Sequence, residues 1–111
     1  MRTITNAEIK AAALAAYDDN RLTAQAKKRA DRLCRYRHGN RVCAIGAILT
    51  DEELRGVAGN ASVGNVVDMG WVRFENPTFA RLVQQAHDVW ASARPIARKK
   101  HRLAFLQLIA P

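Results

Sequence analysis

Hydrophobic and polar positions in the first twenty residues follow the period of an amphipathic helix. Thr5 and Glu8 have the spacing of a capping box. Ile4 and Ile9 have the spacing of the hydrophobic staple that accompanies such a cap. Apolar side chains then recur about one helical turn apart, at Ile9, Ala13 and Tyr17. The pattern predicts a first helix that begins after Thr5 and ends at Asp18-Asp19-Asn20.

The next segment changes from a helical to an alternating period. Thr23 can cap a second helix that runs to about Leu33, with a narrow apolar face and many basic residues. After it, Gly39-Asn40 is a typical turn dipeptide, and the residues on both sides of it can alternate. This pattern predicts a short β-hairpin around residues 34–43.

Capping signals predict three helices in the second half of the chain. Thr50 and Glu53 repeat the capping box behind a buried apolar run at residues 44–49, so a short helix should begin at Asp51. Asn76-Pro77 predicts the start of the next helix. Its single apolar stripe is formed by Phe79, Leu82, Val83, Ala86 and Trp90. A last helix should run from Pro95 to near Ala110.

Chain length and composition fit one small domain. The chain has 111 residues, which is too few for two separate cores. Apolar residues make up 49% and aromatic residues only 6%, and alanine is abundant, which favours packed helices. We therefore predict a single domain over residues 1–111 that is mainly α, with four to five helices and one short β-hairpin around residues 34–43: a small α+β fold.

Membrane insertion and export are not indicated. No apolar stretch reaches the about 18 residues that a membrane helix needs. We expect a cytoplasmic protein in which Cys34 and Cys43 remain thiols. The two cysteines would face each other across the hairpin if its turn were centred on His38-Gly39, and one disulfide is the alternative for an exported protein.

Positive charge is concentrated in two parts of the chain. There are 18 Lys and Arg against 10 Asp and Glu, a net charge of +8. Residues 1–50 carry ten basic and four acidic side chains, and residues 76–111 carry six and one. The intervening residues 51–75 carry two basic and five acidic side chains. A fold that brings the two ends together would therefore have one strongly positive face.

The basic residues form two clusters along the chain. We call the first basic cluster Arg21, Lys27, Lys28, Arg29, Arg32, Arg35, Arg37 and Arg41. The second basic cluster is Arg94, Arg98, Lys99, Lys100 and Arg102. Such clusters suit the phosphates of nucleic acid, and Tyr36 between two arginines could stack on a base. A solvated basic surface without a partner is the alternative.

Metal binding and cysteine catalysis are weaker possibilities. Cys34, His38, Cys43 and His87 would make a four-ligand zinc set, but their spacing matches no usual zinc motif. Cys43 with His87 could act as a nucleophile and base. Adjacent helical residues point about 100° apart, so Asp88 is expected on the far side of its helix from His87. We expect no catalytic residue, no metal and no cofactor.

One segment resembles a group of small uncharacterised bacterial and phage proteins. These proteins share a Cys-x-Tyr-Arg segment, a glycine turn, Cys-Ala-Ile-Gly, an acidic helix start and a later Ala-His-Asp. The matching residues are Cys34, Tyr36, Arg37, Gly39, Cys43 to Gly46, Asp51 with Glu52, and Ala86-His87-Asp88. His38 has no counterpart in that pattern. The resemblance implies an accessory protein of a prophage or mobile element.

Three hypotheses about function follow. The leading one is a non-catalytic protein that binds nucleic acid or a nucleoprotein partner through its basic faces. The second is a protein-directed inhibitor of a host defence system, similar to an anti-CRISPR protein. The third is a hydrolase or transferase that depends on Cys43 and His87.

Overall fold

The three-dimensional structure is a computed structural model that describes residues 2–26, 37–38, 41–50, 52–53 and 72–111. In these residues the elements are β1 (Arg2–Ile4), α1 (Asn6–Asp18), a 3₁₀ helix (Thr23–Gln25), β2 (Arg37–His38), β3 (Arg41–Val42), β4 (Val72–Phe74), α2 (Pro77–Ser92) and α3 (Pro95–Ile109). The predicted small α+β class is confirmed. The described residues contain three α-helices, fewer than the four to five predicted.

Both ends of α1 form as their local sequence predicts. Thr5 Oγ1 accepts a hydrogen bond from Glu8 N at 3.1 Å, and Glu8 Oε1 accepts one from Thr5 N at 3.2 Å. At the other end Asn20 has a φ of 58°, in the left-handed region that asparagine tolerates. The backbone N–H groups of Asn20 and Arg21 donate to the carbonyls of Tyr17 and Ala16. This is a Schellman motif, and it stops the helix.

Helix α2 begins as predicted but is rotated relative to the predicted stripe. Asn76 Oδ1 caps it by accepting from Phe79 N at 3.1 Å. The side chain of Leu82 is 47% exposed, whereas His87 is completely buried. The buried face consists of Ala80, Val83, His87, Trp90 and Ala91. The predicted stripe was therefore wrong at Leu82, because the helix packs a histidine and small alanines inward. Helix α3 is confirmed at both ends.

The hairpin is confirmed, with a register that differs from the one considered for the cysteines. β2 and β3 are antiparallel, and Arg37 pairs with Val42. With this pairing the turn is not centred on His38-Gly39, which was the condition for placing Cys34 opposite Cys43. Cys34 itself lies outside the described residues.

The predicted helix from Thr23 to Leu33 is wrong at Ala26, where the backbone is extended, with ψ of 149°. Residues 27–33 lie outside the described part.

A parallel pair of strands that the sequence did not predict joins the two halves of the chain. Ile4 of β1 pairs with Phe74 of β4, and both side chains are buried.

The carboxylate of Glu53 binds both Arg2 and the backbone at Thr50. Arg2 Nη2 lies 2.6 Å from Glu53 Oε1. Thr50 N donates to Glu53 Oε1 at 2.8 Å, which confirms the predicted capping box of Thr50 and Glu53. Most of the helix predicted to begin at Asp51 lies outside the described residues. Burial alone would raise the pKa of Glu53, but its hydrogen bonds to Arg2 and Thr50 outweigh burial and hold the pKa below its usual value.

The three helices pack around a core of aliphatic and aromatic side chains. Phe105 of α3 lies beside Trp90 and His87 of α2, with ring centroids 5.5 and 5.9 Å apart. The apolar run at residues 44–49 packs into or against this core, as predicted. Within the described ranges, no helix is both long and apolar enough to cross a membrane.

Candidate functional site

A cleft lined by basic and aromatic side chains opens where the end of α1, the 3₁₀ helix, the end of α2 and the start of α3 meet. Its volume is about 280 Å³. It is lined by Tyr17, Asn20, Ala24, Gln25, Trp90, Arg98, Lys99 and Arg102. We call it the basic cleft. Three of these lining residues are cations and none of them is acidic, so the cleft suits a ligand with negative charge.

The arginines of the cleft lie on the inward-facing side of α3. Arg98 and Arg102 are one turn apart, and the same stripe continues to Phe105 and Ile109, which are buried. Both arginines are half-buried, whereas Lys100 is exposed. Cations therefore replace core residues in the first half of this stripe.

The backbone of Ala24 forms part of the cleft wall and is held from two sides. Its N–H lies 3.3 Å from His87 Nε2, which accepts the hydrogen bond. Its carbonyl accepts a hydrogen bond from Arg98 Nη2. These bonds join the 3₁₀ helix to both α2 and α3. The guanidinium of Arg98 is thus positioned before any ligand arrives.

Two aromatic residues, Tyr17 and Trp90, also line the cleft. The ring of Tyr17 is half-buried, and its centroid lies 6.2 Å from that of buried Trp90, with the planes tilted by 49°. Gln25 Nε2 donates to the carbonyl of Tyr17 at 2.8 Å and fixes the 3₁₀ helix against the end of α1. Sequence reasoning missed the role of these residues. Tyr17 had been placed correctly on the helix, but no local signal indicated that α3 would face it.

The first basic cluster is described only in part. Arg41 Nη1 donates to the carbonyl of Asn20 at 2.7 Å and to that of Leu22 at 3.1 Å, so it holds the loop after α1. Arg21 is exposed, and the backbone of Arg37 lies in β2. The remaining predicted binding residues lie outside the described residues: Lys27, Lys28, Arg29, Arg32, Arg35 and Tyr36.

The second basic cluster is fully described and divides between two sides of α3. Arg98, Lys99 and Arg102 line the basic cleft. Arg94 and Lys100 are exposed and do not line it. Three of the five predicted residues therefore share one site.

Cys43 and His87 belong to a buried polar group beneath the surface. Asp88 Oδ1 lies 3.3 Å from His87 Nδ1, and Gln84 Nε2 donates to the same oxygen at 3.2 Å. The expectation that Asp88 could not reach His87 was wrong, because the carboxylate turns back along the helix toward Gln84. Since Nε2 accepts from Ala24, we assign the ring proton to Nδ1, which donates to Asp88.

The surroundings of Cys43 do not favour a nucleophile. The side chain is completely buried. Burial raises the pKa of its thiol to about 12, although hydrogen bonds from Gly46 and Gln84 act in the opposite direction. The reactive form of cysteine is the thiolate, so a thiol with this pKa is unreactive at neutral pH. His87 Nε2, which would have to take the thiol proton, already accepts from Ala24.

We predict that Cys43 resists thiol reagents in the native protein. The variant Cys34→Ala leaves Cys43 as the single cysteine of the chain. An aromatic disulfide reagent should label this variant slowly under native conditions and completely in denaturant, because the thiol is buried and protonated. The released chromophore measures the rate. Rapid stoichiometric labelling of the folded variant would contradict the burial and restore Cys43 as a candidate nucleophile.

Only two members of the proposed zinc set, Cys43 and His87, have side chains in the described part of the chain. There, no group of three or more His, Cys, Asp or Glu side chains lies close enough to hold a metal ion. His87 would have to give up its bond with Ala24 or with Asp88 to bind one. Cys34 is outside the described residues, and no side-chain contact is described for His38.

Comparison of the chain with protein-family models, with curated proteins and with solved structures gives no match.

Proposed function

We propose that this protein binds nucleic acid through the basic cleft. The observation that carries the proposal is the meeting of Arg98, Lys99 and Arg102 with Tyr17 in one cleft, whose lining residues in the described part of the chain include no acid. Guanidinium groups bind phosphate through paired hydrogen bonds, and lysine adds a point charge. The binding needs no covalent chemistry, in line with a non-catalytic accessory protein of the kind that the resemblance implies.

Folding explains only part of the positive charge in the basic cleft, because Arg98 alone of the three cations has a described hydrogen bond within the protein. Helix α3 begins at Pro95, so Arg98 lies at the end of its first turn and Lys99 directly after it, and that turn has no acidic residue. Cations near a helix N-terminus oppose the helix dipole and are unfavourable by a few tenths of a kcal/mol or more. Arg98 and Arg102 also occupy a stripe that α3 otherwise buries. A phosphate in the cleft would compensate for both costs.

The first basic cluster extends the proposed binding surface. The chain leaves the cleft wall at Gln25 and continues within two residues into Lys27 and Lys28. Neutralising several phosphates along a strand requires cations from more than one segment. We therefore include these lysines in the proposal as additional phosphate contacts.

The salt dependence of binding tests this proposal. If the three cations of the cleft and the two lysines each meet one phosphate, the logarithm of the association constant should fall with the logarithm of salt concentration with a slope of about −3.5 on a single strand, and the cleft alone should give about −2. Affinity should then drop by at least about twentyfold between about 50 and about 200 mM salt. Fluorescence anisotropy of a labelled oligonucleotide measures it. Affinity that stays constant over this range would overturn the proposal.

Nuclease treatment separates nucleic-acid binding from the alternative of a protein-directed inhibitor. The proposal expects that material co-purifying with the tagged protein is released when nuclease is added. An inhibitor of a host defence protein would instead form a stoichiometric complex that survives nuclease. Recovery of such a complex, together with no affinity for oligonucleotides, would contradict the proposed function.

A further inference from the structure

The dimensions of the basic cleft limit what can enter it. Its volume of about 280 Å³ lies at the small end of the range for ligand pockets. That space accommodates one aromatic ring system with its attached sugar or phosphate.

The orientation of the arginines also argues against reading a duplex with α3. Proteins that read duplex DNA with a helix insert it into the major groove and direct its side chains outward to the bases and phosphates. Here Arg98 and Arg102 share a stripe with buried Phe105, so they are directed toward the protein and not away from it. A helix in this orientation cannot present both arginines to a groove. The nucleic acid must instead bring its phosphates to the cleft.

Tyr17 provides a surface for a base. It lines the basic cleft together with the three cations and is half-buried, so part of it remains accessible. Trp90 lies behind it at 6.2 Å, and Gln25 holds the adjacent carbonyl. An aromatic ring supported in this way can stack with any base, because every base has a π-face. Asn20, which is exposed, also lines the cleft.

Building on the proposed function, we propose that the basic cleft takes one unpaired nucleotide of a single strand. Its base stacks on Tyr17, and its flanking phosphates bind Arg98, Lys99 and Arg102. The protein therefore prefers single-stranded nucleic acid to a duplex of the same sequence. Arg98 needs little reorganisation for this role, because its bond to Ala24 already fixes it beside the cleft.

Substitution of Tyr17 tests the inference. Anisotropy titrations at one salt concentration should compare a labelled single strand with the duplex of the same sequence. Tyr17→Leu should weaken single-strand binding by about ten- to hundredfold, the loss typical of one stacked base, and should leave duplex binding within about twofold. Tyr17→Phe is the matched control: it keeps the ring and should bind within about twofold of the unmodified protein.

The outcomes separate this inference from the proposed function. Equal losses on both strand forms, or no loss on either, would overturn the stacking inference while leaving salt-dependent binding intact. Absence of binding by the unmodified protein at low salt would overturn the proposed function as well. A thermal melt of each variant shows whether it remains folded.

Titration with a free nucleoside monophosphate distinguishes a strand from a small ligand. If the mononucleotide binds more tightly than the single strand does, that result would contradict the assignment of the cleft to a strand.

Discussion

Replacing Lys99 and Arg102 together by glutamate should weaken nucleic-acid binding by about a hundredfold. Each cation that meets a phosphate contributes about 1.5 to 3 kcal/mol as a charge-assisted hydrogen bond, and about 1.4 kcal/mol corresponds to a factor of ten. Two lost contacts therefore give at least this effect, and the introduced carboxylates add repulsion. Arg98 is left in place because its bond to Ala24 also holds the cleft wall.

The double variant Arg94→Glu with Lys100→Glu is the matched control. It produces the same change in net charge in the same part of the chain, at the N-cap and in the second turn of α3, but neither side chain lines the basic cleft. Charges at a distance act through a screened field that falls off over about 8 Å at physiological salt, so the loss should be no more than several-fold. Equal losses in the two double variants, measured by anisotropy at one salt concentration, would show that net charge and not the cleft determines affinity.

Loss of binding in the Lys99→Glu and Arg102→Glu variant should not come from unfolding. Both positions are at least partly exposed, and glutamate forms helices about as well as lysine and arginine. The free energy of unfolding should therefore change by no more than about 1 kcal/mol. A variant that binds worse and folds at least as well would indicate that the basic residues are kept for a ligand at some cost in stability.

Elements with a complete local signal were predictable from the sequence. The caps at Thr5 and Asn76 depend on residues three positions away, so the chain there carries all the information that fixes the helix start. Pro95 set the start of α3 in the same way. The hairpin was found from Gly39-Asn40, but its register depends on contacts beyond the turn and was not determined by those two residues.

Features that depend on distant parts of the chain were not predictable. Nothing in Arg2–Ile4 alone indicates a partner in Val72–Phe74, because strands this short have little pattern and pair over a long sequence separation. The orientation of α2 was misjudged because His87 is polar by type, yet its buried ring is hydrogen-bonded to Ala24 and Asp88. The basic cleft has the same origin: its walls come from both ends of the chain.

Phe105→Ala should lower the free energy of unfolding by about 3 to 5 kcal/mol. Such substitutions remove apolar contact and leave a cavity that the surroundings fill only in part. Phe105 is completely buried and packs against the rings of Trp90 and His87. Because domains of this size are stable by only about 5 to 15 kcal/mol, the variant should melt far below the unmodified protein. Urea unfolding followed by circular dichroism measures the change.

Leu103→Ala is the control for this prediction, since it makes a similar truncation on the same helix. Leu103 is 47% exposed and lies outside the core cluster, so its loss should change the free energy of unfolding by no more than about 0.5 kcal/mol. Phe105→Leu keeps most of the apolar volume and should cost roughly 1 kcal/mol. The order Leu103→Ala, Phe105→Leu, Phe105→Ala in increasing loss follows from the packing of α3 against α2. Equal losses for the two alanine variants would contradict that packing and, with it, the inward orientation of Arg98 and Arg102 on which the basic cleft depends.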